Sequence, residues 1–364
     1  MSNSPLVPRP GIMDIAPYVP GEAKISGYSE PAQLAANENA LGPSPAAVAA
    51  YNSAANSLHR YPDGGSTELT NAIGEVHGLD PKRIVCGAGS DEILALLGRG
   101  YVGLGDETLH SAHGFLMYPI ITKSLGATPL QAPETDLTAN VDALLASVTP
   151  KTRIVFLANP NNPTGTMLPA EELKRLRKGL NDDVLLVIDA AYAEYVDDPL
   201  YSDGRDLVDA NDNVVMTRTF SKIYGLAALR IGWCYAPPSI VDVLHRIRGP
   251  FNVTAPAIAA GAAAVRDQEH VERSRHHNKV ERNRLASRLA QLGLSGPVSH
   301  GNFLLISFKT PEIAEGALQA MNALGVIPRR VAGYGLPECL RITVGTAAEN
   351  DRVVSALADF TGAK

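Results

Sequence analysis

The chain is poor in cysteine, in net positive charge and in long apolar runs, and each shortage removes a class of function. Its three cysteines, Cys86, Cys234 and Cys339, are odd in number, widely separated, and each lies in or beside an apolar run. That pattern suits buried free thiols in a reducing cytosol and offers no disulfide framework or clustered metal ligands. Lysine and arginine number 32 against 38 aspartate and glutamate, giving a formal charge of −6, whereas a nucleic-acid-binding surface is normally basic. No apolar run approaches the roughly 20 residues that span a bilayer, and Met1 to Pro10 lacks the apolar core of a secretory signal. The expectation is a cytoplasmic protein that engages neither nucleic acid nor membrane. Internal repeats and low-complexity tracts are missing too. The adjacent His276 and His277 stand among Arg, Asn and Glu on a helix-like stretch, a solvated face, and no metal is expected.

What remains is an ordinary globular composition, 45% hydrophobic and 19% charged over 364 residues, enough for a sizeable core. Residues 1–35 are rich in Pro, Gly and Tyr and lack periodicity, which predicts an arm laid on other structure. From 36 to 255 the pattern alternates. Short apolar runs at Arg83–Cys86, Ile154–Ala158, Val184–Ile188 and Val214–Met216 read as strands covered on both faces. Amphipathic stretches of helical length lie between them, at 90–99, 115–124, 137–146 and 169–179. Repetition of strand, helix, strand predicts an α/β fold whose large domain holds a mostly parallel, doubly wound sheet. Residues 256–364 change character. One long helix over Ala257–Leu292, strands at Phe303–Phe308 and Leu340–Val344, and helices at 311–324 and 347–361 describe a smaller α+β C-terminal domain, on which the N-terminal arm is expected to pack.

Ligands of a doubly wound sheet bind beyond the carboxyl ends of its strands, so the residues delivered there matter most. After Cys86 comes Gly87-Ala88-Gly89-Ser90-Asp91, a turn in which glycine permits close backbone approach and Ser90 or Asp91 can cap a helix whose free N–H groups attract an anion. The turn also fits a plain strand-to-helix connection, and it lacks the lysine of a Walker loop. After Ala158 comes Asn159-Pro160-Asn161-Asn162-Pro163-Thr164-Gly165. There two prolines would present the Asn162 amide rigidly. The third strand ends in Asp189, a carboxylate at the edge of a buried sheet that needs a cationic partner such as a protonated pyridine nitrogen. The fourth runs into Thr219-Phe220-Ser221-Lys222, with Arg230 eight residues on. An amine held there can form a Schiff base if its pKa is lowered. Thr219, Ser221 and Arg230 would meet a phosphate dianion with hydroxyl donors and a guanidinium fork.

The motifs NPNNPTG, DAAYAEY and TFSKIYGLAALRIGW stand in one chain and in this order. By them the sequence resembles, over nearly its whole length, the fold-type I enzymes of pyridoxal 5′-phosphate (PLP), the aspartate aminotransferase superfamily. LAANENALG, RYPDGG, GSDEIL, YGLPECLRITVG and IAPYVPG make it more similar to the histidinol-phosphate branch. The resemblance implies that Lys222 carries PLP as a Schiff base and moves the proton between substrate and cofactor. It implies that Asp189 pairs with the ring nitrogen, and that Asn162 and Tyr192 hydrogen-bond the 3′ oxygen. Ser90, Asp91, Thr219, Ser221 and Arg230 would hold the phosphate. Tyr61 would reach the neighbouring subunit's cofactor across a homodimer. The stacking ring would come from His113-Gly114-Phe115, where Phe115 replaces the family's commoner tyrosine; stacking needs only a π-face.

Substrate recognition would fall to Arg341 and Arg329, with Tyr18 and Asn37 at the pocket edge. A guanidinium fork can bind a carboxylate or a phosphate. The implied reaction is exchange of an amino group between histidinol phosphate and 2-oxoglutarate, giving imidazole acetol phosphate and glutamate. An aromatic amino-acid aminotransferase and a decarboxylase of a phosphorylated amino acid would share Lys222, Asp189 and Asn162. A PLP-sensing regulator would call for an appended basic domain, for which the Pro-rich arm is too short.

Overall fold

The protein is described by a computed structural model covering residues 6–17, 25 and 27–362; Tyr18 lies outside the described residues. Seven strands form the central sheet: β1 (Ile84–Gly87), β2 (Glu107–Ser111), β3 (Thr128–Ala132), β4 (Thr152–Ala158), β5 (Leu185–Asp189), β6 (Val214–Thr219) and β7 (Gly232–Tyr235). Their spatial order is β1-β7-β6-β5-β4-β2-β3. All neighbours are parallel except β7, which runs antiparallel to both β1 and β6. The four strands expected from apolar runs are present. Strands β2, β3 and β7 were not legible: ETLHS and TPLQA are largely polar, β3 lies half-exposed at an edge, and GWCY is only four residues long.

Alternate residues of the central strands feed different cores. Val155, Leu157, Leu186, Ile188, Val214 and Met216 point to one face, while Ile154, Phe156, Leu185, Val187 and Val215 point to the other. Both faces are therefore covered, which is why these strands read as unbroken apolar runs. Full burial of each such side chain is worth about 1.5–3 kcal/mol, so the sheet's central strands are its rigid part. Polar residues extend β6 to Thr219, because buried Arg218 pairs there with Glu194 and Asp203.

The single helix expected over 257–292 is two. Ala255–Arg266 ends at Asp267, whose side chain accepts from His270 N and caps the next helix, Gln268–Gln291. The first of these contributes Ala257, Ile258 and Ala260 to the large core, whereas Leu285 and Leu289 of the second belong to a separate cluster. That second cluster joins the helices Pro311–Ala323 and Ala347–Thr361 to a three-stranded antiparallel sheet of Phe303–Ser307, Cys339–Thr343 and Arg329–Arg330. Ala32–Gln33 pairs in parallel with Val326–Ile327, and Tyr28 Oη donates to Ala323 O, so this part of the arm lies on the C-terminal unit. Earlier, Arg9 reaches Ser124 O on the large unit instead. The helices expected at 115–124 and 137–146 begin later, at Met117 and Val141, where turns and a short hairpin precede them. Among the described residues no helix is long and apolar enough to cross a membrane.

Candidate active site

The carboxyl ends of β1, β4, β5 and β6 converge on one cleft of about 170 Å³. Ser90, Asp91, Phe115, Asn162, Asp189, Tyr192, Thr219, Ser221, Lys222 and Arg230 all line it. Ten residues spread over 141 positions meet because parallel strands deliver every C-terminus to the same edge.

The end of β1 builds an anion cup. Gly89, at φ +88°, is the N-cap of the helix Ser90–Tyr101, and no side chain caps that helix. Ser90 and Asp91, expected as caps, sit in its first turn instead, and their N–H groups open an anion site at a positive helix end. A Cβ at Gly89 would stand 2.5 Å from Arg230 Nη2, and one at Gly232 would stand 2.1 Å from Ser90 N. The left-handed backbone at Gly89 and the backbone contact at Gly232 both demand glycine. Arg230, itself at φ +52°, donates from Nη1 to Ser221 Oγ at 3.1 Å and from Nη2 to Asp91 Oδ2 at 3.2 Å. Thr219 Oγ1 accepts from Ser221 N at 3.1 Å, closing the turn. Exposed N–H groups, two hydroxyls and a guanidinium form a donor set suited to a phosphate dianion.

Asp189 is fully enclosed at the end of β5. Burial pushes its pKa up to about 6, against the pull of two donors: Tyr118 Oη to Oδ2 at 2.9 Å and Thr217 Oγ1 to Oδ1 at 3.1 Å. A buried carboxylate in that condition gains most from a cation placed beside it. Tyr192 is buried as well, and burial pushes its phenol up to about 12. Asn37 Nδ2 donates to the Tyr192 oxygen at 2.9 Å, leaving the phenolic O–H to donate into the cleft. Asn37 is thus placed behind Tyr192 rather than on the cleft wall. Its backbone N–H and Oδ1 bond Thr343 Oγ1, its carbonyl accepts from Asn302 Nδ2 at 3.0 Å, and it holds φ +56°.

Lys222 Nζ donates to Ala36 O at 2.9 Å and stands 5.8 Å from the Tyr192 ring centroid. Burial, then the Arg341 guanidinium, lowers its pKa to about 8, so the neutral amine is accessible near physiological pH. Arg341 is buried on the strand Cys339–Thr343. It donates from Nη1 to Asn162 Oδ1 at 2.5 Å and from Nη2 to Ala35 O at 2.6 Å, while Nε has no partner. Both acceptors are neutral, so among the described residues the cation is hydrogen-bonded without being neutralised. With Oδ1 taken by Arg341, Asn162 keeps Nδ2 for the cleft. Arg329 lies opposite Arg341 in register, whereas its neighbour Arg330 forks onto Glu315 at 2.9 Å.

Phe115 occupies the turn before the helix Met117–Ser124. His113, two residues earlier, is tied by its N–H and Nδ1 to Glu134, which anchors that turn. Tyr61 does not line the cleft of its own chain; it is 83% exposed and stacks on Phe251 at 4.6 Å. Sequence reasoning missed Tyr118. A tyrosine in an apolar helix looks like core, and only its place one turn after Phe115 hinted otherwise.

Comparison with known proteins agrees with this geometry. The family model for aminotransferase class I and II matches residues 29–357. A histidinol-phosphate aminotransferase of Paramagnetospirillum magneticum is 56% identical over 358 residues, covering 98% of this chain and 99% of the relative. One from Rhodospirillum centenum is 55% identical, covering 97% and 98%. A crystal structure of histidinol-phosphate aminotransferase from Sinorhizobium meliloti in complex with PLP superimposes with a TM-score of 0.89 at 29% identity, covering 99% of each chain.

Proposed function

The chain belongs to the class I and II aminotransferases, and we propose that it uses PLP to exchange an amino group between histidinol phosphate and 2-oxoglutarate, as a step of histidine biosynthesis. The observation that carries the reading is the buried Arg341, which among the described residues pairs with no acid and bonds Asn162 in the wall of a cleft that already holds a low-pKa lysine. Burying a guanidinium without an acidic partner is costly unless an anion arrives to pair with it. Glutamate brings a carboxylate and histidinol phosphate brings a phosphate.

The residues fit the cofactor. A phosphate matches the cup of Ser90, Asp91, Thr219, Ser221 and Arg230; a protonated ring nitrogen matches Asp189; a phenolate oxygen matches Tyr192 Oη and Asn162 Nδ2; Phe115 offers a π-face. PLP, when bound, supplies an electron-withdrawing ring that acidifies the α-carbon of an attached amine. The protein's own contribution is to place and protonate. Asp189, kept ionised, holds the ring nitrogen protonated. Tyr192, kept protonated and oriented by Asn37, donates to the 3′ oxygen. Lys222 Nζ, neutral above about pH 8, would take the proton from the substrate's α-carbon and deliver it to C4′ of the cofactor, on the far side of the amine nitrogen.

On this reading residues 36–255 form the cofactor domain, 256–364 the small domain and 1–35 an arm on the small domain, with Ala32–Gln33 paired there and Arg9 bonded to the large unit. A homodimer with shared sites is part of the proposal. Val48, Tyr51, Leu58, Tyr61 and Phe251 are large apolar side chains left exposed near the cofactor domain's N-terminal helices, a surface suited to a second copy. A cytoplasmic location accords with three buried free thiols.

The decisive experiment is a half-reaction series. Wild-type protein is expected to show a visible absorbance band that Lys222→Ala loses together with nearly all turnover. Histidinol phosphate should exceed phenylalanine in kcat/KM. Colourless wild-type protein that takes up no PLP, or a preference for phenylalanine, would overturn the cofactor and substrate assignments respectively.

A further inference from the structure

The stacking position carries phenylalanine, yet a tyrosine hydroxyl is supplied one helical turn later and directed elsewhere. Tyr118 has no exposed surface. Its ring lies parallel to Phe156, at 4.8 Å between centroids and 5° between planes, and Phe115 meets it edge-on at 5.8 Å and 86°. Two rings on two sides leave the phenol one position. From there Tyr118 Oη donates to Asp189 Oδ2 at 2.9 Å, opposite the weaker contact of Thr217 Oγ1 on Oδ1 at 3.1 Å. Burial holds the Tyr118 phenol well above its usual range, so it is a donor at every working pH.

We propose that Tyr118 is a positioning residue for Asp189: its hydroxyl fixes the carboxylate and keeps it ionised for pairing with the ring nitrogen of the cofactor. The proposal rests on the PLP reading above. Inside an apolar wall a carboxylate tends to take up a proton, and a protonated Asp189 could not hold a ring nitrogen in its charged form. The titratable and charged groups around it are Asp91 from the helix Ser90–Tyr101, Tyr118 from the helix Met117–Ser124, and Tyr192 beyond β5. Lys222 and Arg230 share the cleft. Asp91 works against ionisation, and Tyr118 and Thr217 work for it. Because Phe115 and Tyr118 sit on one turn of backbone, the ring-stacking face and the acid are also held in a fixed relation.

The test is PLP binding to apoprotein, measured by equilibrium dialysis from pH 5 to 9 for wild type and Tyr118→Phe. Loss of one hydrogen bond to a charged group predicts about tenfold to a hundredfold weaker binding at neutral pH. The acid limb of the affinity profile should also move up by about one pH unit. A core-packing role alone would lower affinity by the same factor at every pH and leave that limb in place, which would overturn the proposal; so would unchanged affinity. In an Asp189→Asn background, Tyr118→Phe should change affinity less than about twofold, since the charge it serves is gone. Equal losses in both backgrounds would overturn it even if the single variant were partly unfolded. Wild-type apoprotein that binds no PLP at any pH would overturn the underlying reading, and is told apart by the wild type alone.

Discussion

Substituting Arg341 tests the central claim most directly, because the structure gives its partners and its lack of a counter-charge. Its two Nη atoms hold Asn162 Oδ1 and Ala35 O, both neutral, and Nε has no partner among the described residues. Arg341→Met removes the cation and keeps the aliphatic stem. In the resting protein the two acceptors lose donors, a cost of about 1–3 kcal/mol each, while an un-neutralised buried charge is relieved. The two effects oppose, so the resting stability should change by no more than about 1–2 kcal/mol. The catalytic effect has no such offset. Deleting one partner of a buried, hydrogen-bonded charge pair costs about 2–5 kcal/mol, so kcat/KM for glutamate should fall by about thirtyfold to several thousandfold. Arg341→Lys keeps the charge and loses the fork, and should fall by about tenfold to a hundredfold. The assay is single-turnover decay of the visible band with glutamate and with histidinol phosphate. Thermal melts supply a second readout. A dicarboxylate at a hundred times its Kd should stabilise wild type by about 2.7 kcal/mol and Arg341→Met not at all. If Arg341→Met keeps kcat/KM within threefold for both substrates, or is stabilised by the dicarboxylate as wild type is, Arg341 is not the anion site.

Asp189→Asn should stabilise the apoprotein while abolishing turnover. A carboxyl raised from 3.8 to about 6 in the folded state binds more protons than in the unfolded chain between those values. Stability from this group therefore falls as pH rises through that window, and the cost of roughly 3 kcal/mol is fully present above about pH 6. Melts at pH 8 should favour the variant and melts near pH 4 should not; a variant less stable at pH 8 would refute the argument. Lys222, lowered to about 8, should capture PLP at a rate that rises with pH up to about 8 and then levels, well short of 10.5. Between those values the unfolded chain binds more protons, so this group adds stability as pH rises from about 8 to 10.5. A capture rate still climbing above pH 9 would contradict it. Tyr61→Ala should weaken PLP retention although Tyr61 does not line its own chain's cleft, and sedimentation should give a dimer; a monomer with full PLP affinity would exclude the shared site.

Much of the fold was legible because its central strands are buried on both faces. Ile154–Ala158 and Val184–Ile188 show as apolar runs for that reason alone. Asp267 shows the opposite case: a helix period continues through it, and only its own capping bond to His270 N divides one helix into two. The chain order of Asn162, Asp189 and Lys222, each at or just after the end of a strand, was visible because parallel strands place their carboxyl ends together.

What the sequence by itself determined was therefore the chemistry: which residue types stand at the strand ends, and in which order. The tertiary structure decided which of their atoms are engaged. It turned Asn37 away from the cleft and onto Tyr192, spent Asn162 Oδ1 on Arg341, and gave Arg341 no acid among the described residues. It also brought Tyr118 to Asp189 across 71 residues of chain. The physical reason is that a hydrogen bond depends on angles and tenths of an ångström, and a carboxylate's charge on the water excluded around it. Neither is written in residue type or spacing. Both appear only when distant segments have packed.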